Sequence, residues 1–198
     1  MNLSTYRDRP HWSYSSLNQL LNICSLQWCF EKIEKLPRPF TPIAIAMGSV
    51  YHRVMEFIAL NRLEQKLPTE SDTRALFHDL WERVGLEGLP LERDEELSPE
   101  DCARQGSELV AAYLKQIDPA ERVISMNETF AVPVGASERP LIGEIDCVVE
   151  DQAGRALVDW KTSARRWPKE QAHRSLQPTV YLYAHRQLHP AEGYAFRH

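Results

Sequence analysis

Leu141-Ile-Gly-Glu-Ile-Asp-Cys-Val-Val-Glu150, the short link Asp151-Gln-Ala-Gly154, and Ala156-Leu-Val-Asp-Trp-Lys-Thr162 decide how this chain folds. The first and third runs are rich in apolar and β-branched residues, and the link between them is turn chemistry. Two strands are therefore predicted, Leu141 to Glu150 and Ala156 to Thr162, joined as a hairpin. Alternation puts Glu144 and Asp146 on one face of the first, and Asp159 and Lys161 on one face of the second. Ile145, Cys147 and Val149, then Val158 and Trp160, fall on the opposite faces. Directly opposed residues of paired strands sit about 4.5–5.5 Å apart at Cβ, so the acids of one strand come to lie beside Asp159. Carboxylates that close repel each other, and a divalent cation taking oxygens from both strands relieves the conflict. Mg²⁺ accepts one or two carboxylates together with waters and substrate phosphate, which suits so sparse a set. Lys161 then points to the same place, where an ammonium can hold the attacking water and offset charge on a phosphoryl transition state.

Working outward, Val123 to Val134 is a further β-rich run, and it carries Glu128. A helix is expected from about Lys169 to Leu188, and Gly193 to Arg197 begins another strand. Upstream the pattern is helical. Residues 1–14 read as an ordered arm. Leu17, Leu20, Leu21 and Cys24 recur at helical spacing behind Ser15 as N-cap, and this helix or helix pair ends before Pro37 and Pro39. Helices follow from about Ile45 to Glu64 and from Asp72 to Val84. The stretch from Glu87 to Asp101 holds seven acids and one base, Arg93, and reads as a solvated loop. Ser98-Pro99-Glu100-Asp101 carries the marks of a helix start, and that helix runs on through Leu114. Helices, three strands, a helix and a strand make an α+β or mixed α/β core with a helical insertion ahead of it.

Composition narrows the function classes. The chain has 198 residues with 43% apolar and 26% charged, ordinary for one compact domain with an insertion. No uninterrupted apolar run approaches the roughly 18 residues of a membrane span, and the N-terminus lacks an apolar core of the signal-peptide kind, so a cytoplasmic protein with no membrane partner is expected. A net charge of −5 argues against non-specific coating of nucleic acid and leaves room for a local basic groove. That groove is placed just after the second strand, where Lys161, Arg165, Arg166, Lys169, His173 and Arg174 surround Trp167 with only Glu170 opposing them. Cys24, Cys29, Cys102 and Cys147 are scattered and form no Cys-x-x-Cys pair, which disfavours disulfides and a zinc ribbon. No phosphate-binding loop of the helicase type is present.

Gly143-Glu-Ile-Asp146, Asp159-Trp-Lys161 and Gln177-x-x-x-Tyr181, taken in order, resemble the PD-(D/E)XK nuclease superfamily. The match is closest to its RecB-like branch, which includes RecB and AddB nuclease domains and CRISPR-adaptation nucleases. Gly48-x-x-x-His52 resembles that branch's first motif, as does Ser13-Tyr-Ser-Ser-Leu17 followed by Cys24, and the likeness runs from about residue 12 to 195. It implies a restriction-endonuclease-like α/β core, with a central mixed sheet flanked by helices. It also implies a single domain over 1–198, mainly helical over about 12–120 and a sheet core over about 121–198.

By the same resemblance His52, Asp146, Asp159 and the carbonyl of Trp160 are ligands of Mg²⁺ or Mn²⁺, with Lys161 catalytic alongside Asp146 and Asp159. Gln177 and Tyr181 help to position the nucleic-acid backbone, with Arg165 and Arg166 binding further phosphates, and Gly48 allows close packing of the His52 helix. Glu56, Glu144 and Glu128 are additional candidates. The activity implied is metal-dependent DNA cleavage on single strands or duplex ends, in repair, recombination or CRISPR-type processing, beside a helicase or recombination partner. The alternative is a catalytically weak or inactive nucleic-acid-binding module of a larger repair complex. Many members of the branch carry an iron–sulfur cluster on one early and three late cysteines. Cys24 stands at the early position and the late trio is missing, so no iron–sulfur cluster is expected in this chain. Its stop at His198, in what reads as a strand, suggests a truncated or unusually short domain.

Overall fold

The computed structural model describes residues 3–87, 98–162, 174–190 and 193–197. They form two compact units. One gathers Met1–Pro37, Ser125–Asp159 and Ser163–His198; the other gathers Arg38–Ile124 and Trp160–Thr162. The N-terminal segment, expected with the helical part, thus belongs with the sheet.

In the sheet unit the strands run β1 (Arg122–Val134), β2 (Ser137–Asp151), β3 (Gly154–Val158) and β4 (Tyr194–Arg197), adjacent in that order. β2 and β3 are antiparallel, with Cys147 opposite Val158 and Asp151 opposite Gly154. The turn between them is closed by the Ala153 N–H donating to Asp151 Oδ1 at 2.8 Å, and Gly154 takes φ +111°, where a side chain is strained. β3 and β4 are parallel, with Val158 opposite Arg197, so the sheet is mixed as expected. α7 (Leu176–Leu188) lies in the crossover between them, with Ser175 as N-cap.

One correction concerns β3. The sequence pattern carried it to Thr162, yet it ends at Val158. Among the described residues Val158 makes the last pair with β2 and the last with β4, so the ladder does not continue through Asp159. Strand alternation therefore does not relate Asp159 to Lys161. A second correction is the cap of α2 (Tyr14–Asn18): Ser13, not Ser15, accepts from the Ser16 N–H. Trp12 lies just ahead of it and bridges Leu141 through hydrogen bonds of 2.8 Å to Pro140 and Ile142. Two π-helical turns, Gln19–Ile23 and Cys29–Ile33, alternate with α3 (Ser25–Trp28).

The other unit packs α4 (Ile43–Leu63), α5 (Glu70–Glu87) and α6 (Pro99–Leu114) on one another. α6 starts as expected, with Ser98 Oγ accepting from the Asp101 N–H and Pro99 in the first turn. α4 is long and apolar enough to cross a membrane, with a mean hydropathy of 1.3 over 18 residues, although charges break its apolar runs. Here its Val54, Met55 and Ile58 are wholly buried.

A β-carbon on Gly106 would stand 2.0 Å from Cζ of Phe77, itself fully buried. Ala ordinarily stabilises a helix interior by about 1 kcal/mol over Gly. Here overpacking reverses the sign, and Gly106→Ala is expected to destabilise by about 1–3 kcal/mol in urea unfolding. A rise in stability would show that Phe77 yields.

Candidate functional site

The antiparallel register carries the first result. The ladder ends at the Cys147–Val158 pair; Asp146 is the residue of β2 just before it and Asp159 the residue just after β3, and the charges of both act on Tyr181. Both belong to the sheet unit, and α7 brings two more side chains to them. Gln177 Nε2 donates to Asp159 Oδ1 at 2.6 Å. Asp159 is 2% exposed and Gln177 1%, so the carboxylate is held away from bulk water by an amide that can serve it in one orientation.

Tyr181, one turn further along α7, is also buried. Burial pushes its phenol well above the ordinary tyrosine range, and the negative charges of Asp159 and Asp146 push it further, against the hydrogen bond from Gln177. The phenol therefore stays protonated at any physiological pH. It packs edge-on against Phe130 of β1, with ring centroids 6.0 Å apart. Asp146, Asp159, Gln177 and Tyr181, all singled out from the sequence, are thus brought together. Tyr14, from the Ser-Tyr-Ser-Ser-Leu motif, also acts on Tyr181. Glu144 is half-buried on β2.

The helical unit holds a second pair. His52 Nε2 donates to the carbonyl oxygen of Trp160 at 2.6 Å, and the two rings meet edge-on. The close fit has a local cause. One turn before His52, a β-carbon on Gly48 would stand 3.1 Å from Thr162 Oγ1, so a side chain there would push the Thr162 hydroxyl back by a few tenths of an ångström. Lys161 is exposed and Trp160 buried. Arg165, Arg166, Lys169, His173 and Trp167 lie outside the described residues.

Two features were not read from the sequence. Glu128 of β1, named there as a bare candidate, stands with His185 and His189 of α7 as a group whose donor atoms all lie within 4.8 Å of one another. The i, i+4 spacing of the two histidines was the available signal. The second is a cavity of about 530 Å³ in the sheet unit. Its lining includes Arg7, Arg9, Lys32, Lys35 and Arg139 with Trp12 and Trp28, against the acids Asp8 and Glu31. The Arg139 guanidinium lies 5.2 Å above the Trp12 ring, and Trp28 Nε1 donates to Ser16 Oγ at 2.8 Å.

The coupling between the carboxylates and the phenol is directly measurable. Asp159→Asn removes one negative charge, so the Tyr181 pKa should fall in ultraviolet titration, with Tyr181→Phe identifying the signal. It should remain above the ordinary tyrosine value, because burial is the larger cause. An unchanged titration would mean that Asp159 carries no charge felt at Tyr181.

No curated protein matches this chain. A family model described as the PD-(D/E)XK nuclease superfamily matches residues 11–196. That span contains the Asp146 and Asp159 pair, the Asp-x-Lys run, the Gln177 and Tyr181 pair of α7 and the His52 helix. With an α/β mixed sheet of the restriction-endonuclease-like kind, and motifs consistent with the RecB-like branch, the chain belongs to the PD-(D/E)XK nuclease superfamily.

Proposed function

We propose that this protein is a divalent-metal-dependent deoxyribonuclease. The observation that carries the reading is a buried Asp159 whose Oδ1 is held by Gln177, with Asp146 near enough that both carboxylates act on Tyr181. In a nuclease superfamily, a structural role alone gives no reason to bury a carboxylate next to a second one. Asp146, Asp159, the Trp160 carbonyl and His52 are the proposed ligands, as the family resemblance implies.

The donor chemistry supports the assignment. Carboxylate and carbonyl oxygens are hard ligands of the kind Mg²⁺ and Mn²⁺ take. His52 Nε2 and the Trp160 carbonyl oxygen, 2.6 Å apart, are the two groups of the helical unit that would be offered to the ion. His52 must then carry its proton on Nδ1, leaving Nε2 a lone pair.

A bound divalent ion supplies Lewis-acid activation of water and of the phosphodiester. The protein's own part is positional and electrostatic. Gln177 fixes the Asp159 carboxylate and prevents it from swinging away. The neutral Tyr181 phenol offers a donor beside two anions without adding a third. Lys161, as the proposed catalytic lysine, brings a mobile ammonium to offset charge on the phosphoryl group. A place in repair, recombination or CRISPR-type processing, beside a helicase or recombination protein in the cytoplasm, follows from the branch resembled. Four free thiols are compatible with that compartment.

Asp159→Ala or Lys161→Ala should lower cleavage of end-labelled linear DNA with Mg²⁺ or Mn²⁺ by at least about 10²-fold, with circular dichroism unchanged. Covalently closed circles run in parallel separate endonucleolytic from end-dependent cutting. Wild-type cleavage by either variant sinks the mechanism, and DNA binding without cleavage by the wild type favours the binding module.

The cationic cavity is assigned to the DNA strand, with the lysines and arginines meeting phosphates and the indoles offering stacking surfaces. Arg9→Ala with Lys32→Ala should weaken single-strand binding. Measured by fluorescence anisotropy, the pair should flatten the log–log salt dependence by about 0.7 for each phosphate that is no longer neutralised. An unchanged slope would remove the cavity from the DNA path.

A further inference from the structure

Outside the acidic pair, α7 presents a second chemistry-bearing face. Gln177, Tyr181 and His185 follow one another at four-residue intervals and so share one side of the helix, and His189 is its C-cap. The first two serve Asp159. His185 lies about 12 Å from Gln177 at 1.5 Å per residue.

β1 is shaped to meet them. Val123 is buried at an odd position, whereas Phe130 and Val132 are buried at even ones, so the inward face changes parity partway along the strand. Asn127, with φ +50°, stands between the two registers. A left-handed residue in a strand breaks the two-residue alternation and re-aims the side chains after it. Its effect is to place Glu128 on the same face as Phe130, the residue that packs against α7 through Tyr181. An acidic side chain is thereby turned toward the helix. Glu128 Oε2 lies 3.7 Å from His185 Nδ1, and Ser125 Oγ donates to the Glu128 carboxylate from the same strand.

The His185 ring is 1% exposed and wedged against Tyr194, with centroids 3.8 Å apart. His189 stacks on it at 4.4 Å, follows the last turn of α7, and is half-buried. The group thus has one rigid imidazole and two neighbours that reach solvent, through which an ion can enter.

We propose that Glu128, His185 and His189 form a binding site for a zinc-class divalent cation, separate from the oxygen-rich nuclease site and independent of its assignment. Two imidazoles and a carboxylate are the donors that late first-row metals prefer over Mg²⁺. Ligands around a tetrahedral Zn²⁺ stand about 3.4 Å apart, given bonds of about 2.1 Å. The donor atoms already lie within 4.8 Å of one another, and side-chain rotation of His189 and Glu128 would bring them closer. The hydroxyl of Ser125 orients the carboxylate, as outer partners of metal ligands do. The fourth position is left to water. The ion ties β1 to α7 and so anchors the helix that carries Gln177.

The test uses the full chain, titrated with Co²⁺ and read by its visible d–d absorption, followed by Zn²⁺ displacement. Wild type and Asp159→Asn should both take up one Co²⁺ in a nitrogen-containing low-coordinate site and exchange it for Zn²⁺. Glu128→Gln and His189→Gln should each weaken Zn²⁺ binding at least about tenfold. Zn²⁺ should raise the melting temperature of wild type and not of His189→Gln. Zn²⁺ binding by both ligand variants as tight as wild type overturns the site. So does binding that is lost in Asp159→Asn but kept in Glu128→Gln, or a wild type that takes up no Co²⁺. Cleavage by the wild type is a separate readout, so its failure and the failure of this site are told apart.

Discussion

The hydrogen bond from Gln177 to Asp159 is the constraint on which the chemistry of the sheet unit depends. A carboxylate only 2% exposed has left most of its hydration behind, and the directed amide of Gln177 replaces part of it. The cost is tolerated because α7 is pinned independently: Ser175 caps it and Tyr181 packs on Phe130. The Tyr183 hydroxyl donates to the Pro133 carbonyl at 2.7 Å. The helix is therefore a rigid ruler laid across the sheet. Its one polar edge carries an amide, a phenol and an imidazole, and each stands where the strands supply a charge.

Charge is distributed in the same spirit. The chain is acidic as a whole, yet the cavity beside Trp12 concentrates arginine and lysine. The average hides this because the acids sit elsewhere. Glu70, Asp79, Asp101 and Glu108 make short-range pairs with arginines on α5 and α6, exposed to water and of small energetic weight. A polyanion approaching such a surface meets a local field that net charge does not report.

Much of the core was legible because it is written locally. The β2–β3 hairpin follows from two apolar runs and an Asp-Gln-Ala-Gly turn, and the start of α6 from Ser-Pro-Glu-Asp. The end of β3 was not legible. Val-Asp-Trp-Lys alternates as well as any strand, yet the pairing with β2 and with β4 ends at Val158. Nor could the pattern choose between Ser13 and Ser15 as cap, since both hydroxyls can accept and the backbone decides. The left-handed Asn127 breaks an alternation already blurred by Ser125, Met126 and Asn127. Without it Glu128 has no reason to meet His185, so the histidine spacing on α7 had no partner to give it meaning.

The division of the chain has a consequence for its synthesis. Apart from Trp160–Thr162, the helical unit is continuous, from Arg38 to Ile124, and its helices pack on their neighbours in sequence. The sheet unit is assembled from three separated pieces, and β3 waits for β4, a strand nearly forty residues later, with α7 between. As the polypeptide leaves the ribosome, the helices can consolidate while the open edge of β3 stays unsatisfied. During that interval it depends on the growing chain, or on a chaperone, for protection from pairing with strangers.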